Sequence, residues 1–273
     1  MDDSIDFAAL WQSYKEQDIN GRSDSAVDLA FWAAHASDYD ASHGQSPQLL
    51  SLLQELVRPD DTILDVGAGT GRFALPLAQK VKQITALDHS PDMLSILRQK
   101  INQYQVSNIR IIEASWEVAE VEPHDVVLAA WSLYRQSDLL AAMRKLVAST
   151  QRVFIIVESD DDAPQYPHHP LVTEIWGEKS ERNLSKYLGF LGALWQIGIR
   201  AEVRIVYETG YLHGLIPKAI AGQLAPAEAS LAQLNDLTNR LQPLLRCEAD
   251  GWSYTFTYPV ELLIWHTERN TNL

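Results

Sequence analysis

One cysteine in 273 residues, Cys247, leaves no partner for an internal disulfide and no thiolate set for a multi-cysteine metal site. A reducing compartment fits that usage, and the expected location is cytoplasmic. Basic residues are also in short supply: Lys and Arg total 22 against 36 Asp and Glu, a formal charge of −14. The averaged field repels phosphate backbones and anionic membrane surfaces, so no DNA and no membrane partner is expected. Long hydrophobic runs are missing too. The longest, such as residues 126–131 and 153–157, fall far below the roughly 20 residues that a membrane span needs. Asp2, Asp3 and Asp6 stand where a secretory signal carries Lys or Arg, and no apolar stretch follows them, so export is not expected. What remains is an ordinary globular composition, 46% hydrophobic and 21% charged, enough for one large α/β domain or two small ones.

Residues 7–17, 25–36 and 47–57 read as helices, the last opening on Pro47, where the missing N–H costs nothing. Beyond Pro59 short apolar runs alternate with longer periodic segments, the mark of a parallel sheet with crossover helices. Strands are predicted at 62–66, 83–87, 109–112, 125–130 and 152–157, with helices near 72–80, 91–104 and 137–148. Residues 159–170, with Asp160, Asp161, Asp162 and His168-His169, read as a loop at a strand's carboxyl end, where open α/β sheets place their ligands. A helix near 180–196, a strand at 201–207 and a helical insert at 226–245 follow. Residues 252–258 and 260–266 close the chain as strands with no helix between them, which predicts an antiparallel pairing there.

The most informative segment runs Ile63-Leu64-Asp65-Val66-Gly67-Ala68-Gly69-Thr70-Gly71-Arg72-Phe73: a buried strand, a glycine-rich turn, then a helix. Three glycines at alternate positions remove Cβ atoms where the chain turns sharply and let a ligand reach main-chain groups, whereas a plain βα turn needs one. A nicotinamide or flavin fold places its third glycine one residue later, where this chain has Arg72. The next strand ends in Asp88, whose carboxylate can accept from two ribose hydroxyls or cap the following helix, a role open to Ser90 and Asp92 as well.

Asp65-Val66-Gly67-Ala68-Gly69-Thr70-Gly71 followed by Leu87-Asp88-His89-Ser90-Pro91-Asp92-Met93-Leu94 resembles the class I S-adenosylmethionine-dependent methyltransferases, over a core from about Pro47 to Glu158. Trp32 and Ala36-Ser37-Asp38-Tyr39-Asp40 are similar to what precedes that core in many members. The resemblance implies an α/β fold: a doubly wound, mostly parallel seven-stranded sheet with an antiparallel last strand, a helical N-terminal cap and a helical insertion before the last strand. Residues 1–58 are then expected to form a cap or lid, and 59–273 the methyltransferase core with inserts at about 159–180 and 210–250. The implied cofactor is S-adenosylmethionine, leaving as S-adenosylhomocysteine. Carried over by residue, Gly67, Ala68, Gly69 and Gly71 lie beside its methionine and ribose portions, Asp65 near the methionyl amine, and Asp88 on the ribose. His89 and Met93 flank the adenine on one side, with Ser115 and Trp116 on the other, although a tryptophan there can equally be simple packing. Ala130 and Trp131 stand at the edge nearest the transferred methyl.

That edge, Ala130-Trp131-Ser132-Leu133-Tyr134, lacks the Asn- or Asp-Pro-Pro-aromatic segment of base-amine methylation. The nearest carboxylate, Asp138, reads as a helix start rather than a metal ligand. Methyl transfer is an in-line displacement that needs alignment and water exclusion more than a base, so the sequence names no catalytic residue. His35, Tyr39, His43 and Tyr134 are candidates for contact, Tyr39 foremost, each against the plainer alternative of packing or surface. His168-His169 with the three aspartates reads as an acidic loop, since adjacent histidines lack the spacing that aims two rings at one ion; no metal is expected. The predicted function is methyl transfer to a small-molecule acceptor. Its rivals are a protein that binds the cofactor without transferring methyl, and an RNA or protein methyltransferase.

Overall fold

The computed structural model describes residues 5–16, 25–39, 46–159, 170–177, 186–226 and 229–267. Among the described residues the first helices are α1 (Phe7–Glu16), α2 (Ser25–His35) and α3 (Pro47–Leu56). The alternating core follows as β1 (Thr62–Val66), α4 (Ala74–Ala78), β2 (Gln83–Asp88), α5 (Pro91–Gln103), β3 (Ile109–Glu113), β4 (His124–Ala130), a 3₁₀ turn (Leu133–Arg135), α6 (Leu139–Ala148) and β5 (Thr150–Glu158). The remainder is α7 (Pro170–Trp176), α8 (Lys186–Gln196), β6 (Glu202–Gly214), α9 (Pro217–Leu224), α10 (Leu231–Leu241), β7 (Arg246–Glu248) and β8 (Gly251–His266).

The strand order is β3-β2-β1-β4-β5-β8-β6, with the short β7 paired to β8 as an eighth strand. β1 to β5 are parallel, and β8 runs antiparallel to both of its long neighbours. The chain reverses direction across the sheet at β1, leaving a crevice at the carboxyl ends of β1 and β4 where open α/β sheets bind ligands. Both faces are covered, which is why β1 and β5 read as nearly continuous apolar runs. On one face Trp11, Leu146, Phe190 and Leu194 from α1, α6 and α8 pack over Leu64, Val127, Phe154 and Leu263. On the other, Leu49, Leu53, Ala74 and Leu77 from α3 and α4 cover Ile63, Val126, Ile155 and Leu262. Thus α1 and α3 are built into the sheet's covering layers, whereas α2 has no share in these two cores. Helix starts follow local chemistry: the Ser90 hydroxyl accepts from Met93 N ahead of Pro91, and Asp138 accepts from Ala141 N at 2.9 Å.

Two expectations are corrected after β5. The strand predicted at 201–207 continues to Gly214, so the helical insert begins at Pro217 rather than near 226. The two strands predicted at 252–258 and 260–266 are one, β8, and they pair with β6 rather than with each other. Pro259, which stands between the two predicted strands, lies beyond Glu261, the last β8 residue paired to β5 before the neighbour ends. There β8 has a partner on one side only, and a missing N–H is tolerated. Gly210, past the predicted end of the 201–207 strand, faces the Phe256 ring across the ladder, where a Cβ would come within 2.1 Å of Cζ. From Val206 to Gly214, β6 and β8 therefore run on past the end of β5 as an arm roughly 25–30 Å long, joined at its tip by β7. This arm has its own core: Leu212, Tyr254 and Phe256 pack with Ile220 and Leu224 of α9, Leu237 and Leu241 of α10, and Leu171 and Ile175 of α7.

Candidate active site

The turn after β1 holds Gly67, Gly69 and Gly71 at φ of 76°, 54° and 87°, the left-handed region that glycine enters without steric cost. Asp88 ties this turn to β2. One of its carboxylate oxygens accepts from Gly69 N at 2.8 Å and the other from Ser90 N at 2.8 Å. The capping role belongs to Ser90, so Asp88 is free of that duty. A carboxylate offers about four acceptor positions, and two backbone donors leave capacity for a pair of hydroxyls. Burial holds the Asp88 carboxyl above its ordinary range against the opposing pull of the Ser90 and Gly69 N–H groups. Asp65, buried at the end of β1, is pushed up to about 7, by burial first and then by the charge of Asp88. Two enclosed carboxylates, one at the end of each of two neighbouring strands, suit a ligand with an ammonium at one end and a diol further along.

Met93 is buried, its Cε 3.1 Å from where a Cβ on Gly69 would stand. Ala114 N donates to Asp88 O at 2.9 Å, which brings Ser115 beside the same crevice. Trp116 takes the packing position. Its indole N–H donates to Ala142 O at 3.4 Å, the Lys145 ammonium lies 4.5 Å from its ring centre, and its side chain belongs to the core beneath the sheet's end.

At the β4 edge Gly67 lies so close to the next turn that a Cβ would meet that of Ser132 at 2.3 Å, so this glycine serves chain-to-chain approach. Trp131, after Ala130, has φ of 50°, a strained conformation for a tryptophan. Its indole N–H donates to Ser159 Oγ at 2.8 Å, its ring stacks on Phe73, and the Arg72 guanidinium sits 4.8 Å from its centre. Arg72 also donates to Ser46 Oγ. Nearby Glu208 of β6, fully buried, accepts from Leu49 N at 2.6 Å, and burial raises its pKa. These groups lie on the β4-to-β6 side, away from Asp88.

The prelude delivers a residue that sequence reasoning missed. Asp28 of α2 is fully buried and pairs with Arg135 Nη1 at 3.0 Å and His89 Nε2 at 3.3 Å, while Tyr134 OH donates to it at 3.4 Å. His89 Nδ1 is in turn 3.5 Å from Asp88. The available signal was a lone carboxylate in the otherwise apolar helix Ser25–His35. Tyr39 packs edge-on to Trp32 at 5.5 Å, and His35 stacks on Phe31 and bonds to its carbonyl. His43, Asp40, Asp160 to Asp162 and His168-His169 lie outside the described residues. No helix among those described is long and apolar enough to cross a membrane.

Comparison with known proteins bears on the family and the fold. Residues 63–152 match a family described as a methyltransferase domain. An uncharacterised protein of Haemophilus influenzae is 32% identical over 193 residues, 68% of each chain. A probable cobalt-precorrin-6B C(15)-methyltransferase of Methanobrevibacter smithii is 23% identical over 134 residues, covering 45% of this chain and 72% of the relative. A probable ribosomal RNA small subunit methyltransferase A of Methanosphaera stadtmanae matches at 39% over 57 residues, 21% of each. Among solved structures, magnesium protoporphyrin IX methyltransferase from Synechocystis, with bound S-adenosylhomocysteine, superposes with a TM-score of 0.53 at 13% identity, covering 88% of this chain and 99% of that one. With the strand order and the glycine turn joined to Asp88, these likenesses place the chain in the class I S-adenosylmethionine-dependent methyltransferase family, as an enzyme whose cofactor is S-adenosylmethionine.

Proposed function

We propose that this methyltransferase acts on a small molecule held between the carboxyl edge of the sheet and the β6–β8 arm. The arm is the observation that carries the reading: it extends the sheet past β5 and carries its own core of α7, α9 and α10 beside the β4-to-β6 edge. Such a cover encloses a compact acceptor and obstructs a duplex or a folded protein. The formal charge of −14 supports the same choice. So does the named relative acting on cobalt-precorrin-6B, matched over more of the chain than the ribosomal RNA enzyme, which an RNA acceptor would favour.

The bound cofactor supplies a methyl group activated on a sulfonium. Asp88 accepts from the ribose hydroxyls, Asp65 holds the methionyl ammonium, and the backbone of Gly67, Ala68, Gly69 and Gly71 lies alongside. Met93 and His89 wall the adenine on one side and Ser115 on the other, with Trp116 backing the pocket from the core. Ala130 and Trp131 border the methyl, and Tyr39 closes from the prelude. The chain's work is alignment and exclusion of water rather than proton transfer at a named residue. Trp131, fixed by Ser159 and Arg72, shapes the acceptor side. To test the reading, cell extract is incubated with the enzyme and methyl-labelled cofactor, then separated by mass. Label in the low-mass fraction is expected; label confined to RNA or protein overturns the acceptor class.

A further inference from the structure

His89 follows β2 and Arg135 follows β4, the two strands that flank β1 in the sheet. A side-chain bridge between them therefore crosses the end of β1, where the glycine turn lies. That bridge exists: Arg135 donates to the His89 ring, and both close on the same Oδ2 of Asp28, at 3.0 and 3.3 Å. Asp28 has no exposed surface, and only 14% of the Arg135 side chain is exposed. A charge is taken out of water in this way only where its partners hold it, so removing either member weakens the hold on the buried charge that remains. The third member, His89, stands 3.5 Å from Asp88. The helix α2 is thus joined through one carboxylate to both rims of the cofactor crevice.

We propose that Asp28 and Arg135 are positioning residues that make α2 the gate of the cofactor site. With the pair closed, α2 and the His89–Arg135 bridge roof the ribose end and retain the cofactor; exchange of spent for fresh cofactor requires the pair to part. This rests on the assignment of Asp88 to the ribose. The gate differs from ordinary structural support in its kinetic signature. A damaged pocket loses affinity through faster release with unchanged or slower entry, whereas an unlatched gate speeds entry and release together.

The test is stopped-flow tryptophan fluorescence with S-adenosylhomocysteine on the full chain, for wild type, Asp28→Asn, Arg135→Gln and the double variant, each checked for folding by circular dichroism. Both single variants are expected to raise the association and dissociation rates at least tenfold, with a smaller change in Kd, and the double variant is expected to match the singles. Arg135→Lys keeps the charge and serves where Arg135→Gln does not fold; it is expected to fall between. Wild-type rates in a folded Asp28→Asn variant overturn the gate, as do additive effects in the double. Asp88→Ala run alongside separates the two readings: unchanged affinity there overturns the ribose assignment, while lost affinity there with unaltered rates in the Asp28 and Arg135 variants overturns the gate alone.

Discussion

Asp65 gives the site a pH dependence whose sign can be worked out. Its folded-state pKa of about 7 lies above the unfolded value near 3.9. The folded protein therefore binds the extra proton, and this group's contribution to stability is full below about pH 3.9 and lost as pH rises through 7. Under the role proposed for Asp65, cofactor binding runs the opposite way, because the carboxylate is the form that holds an ammonium. Affinity for S-adenosylhomocysteine is expected to rise between pH 6 and 8 with proton release, measured by calorimetry in buffers of different ionisation enthalpy; Asp65→Asn is expected to flatten the profile. Asp88→Ala is expected to weaken the same ligand by about 2–3 kcal/mol, since a charged acceptor to two hydroxyls is lost, while the Ser90 cap keeps α5 in place. Unchanged affinity would reduce Asp88 to a brace for the glycine turn. Both residues were legible in the sequence because their surroundings are local: a strand end and the turn after it. Asp28 and Arg135 were not, for they meet only once the sheet has set the ends of β2 and β4 on either side of β1. Trp116 shows the converse. Its place after β3 was readable, but the Lys145 ammonium over its ring and its bond to Ala142 come from α6.

Among the elements, the parallel strands and their helices were readable because burial on both faces writes long apolar runs and because Pro47, Ser90-Pro91 and Asp138 mark helix starts. The arm is harder to read, because glycine in a strand usually signals an end or a bulge. Gly210 is there for a different reason, which only the partner strand reveals: the Phe256 ring lies over it. Gly210→Val is therefore expected to destabilise the protein by about 1–3 kcal/mol through overpacking, read by urea titration. Adding Phe256→Ala should recover part of that loss. If the pair of changes proves additive, the glycine answers to something other than the ring.

At the scale of the molecule, the chain divides its labour along the sheet. The carboxylate assigned to the ribose in the proposed reading is at β2, the edge assigned to the methyl at β4, and the arm begins beyond β5. The matched methyltransferase domain, residues 63–152, covers the first two and stops short of the third. The family match thus falls on the donor half, and under the proposed reading acceptor choice lies with the arm beyond it. The arm is joined to that half by strands that do not break. β6 and β8 each pass from the main core into the small one, with the ladder paired from Glu202 to Gly214. Along β6 and β8 there is no linker at which one core could melt while the other stands, since loosening the arm strips bonds from strands that the sheet also needs. Calorimetry is expected to give one transition with matching calorimetric and van't Hoff enthalpies. Amides of β8 between Phe256 and Leu262 are expected to exchange only by global opening. A separate early transition would show that the arm is a thermodynamic unit of its own. If the two cores do melt as one, a substitution that improves packing around Leu237 or Tyr254 in the arm should also raise the temperature at which the distant glycine turn loses its shape.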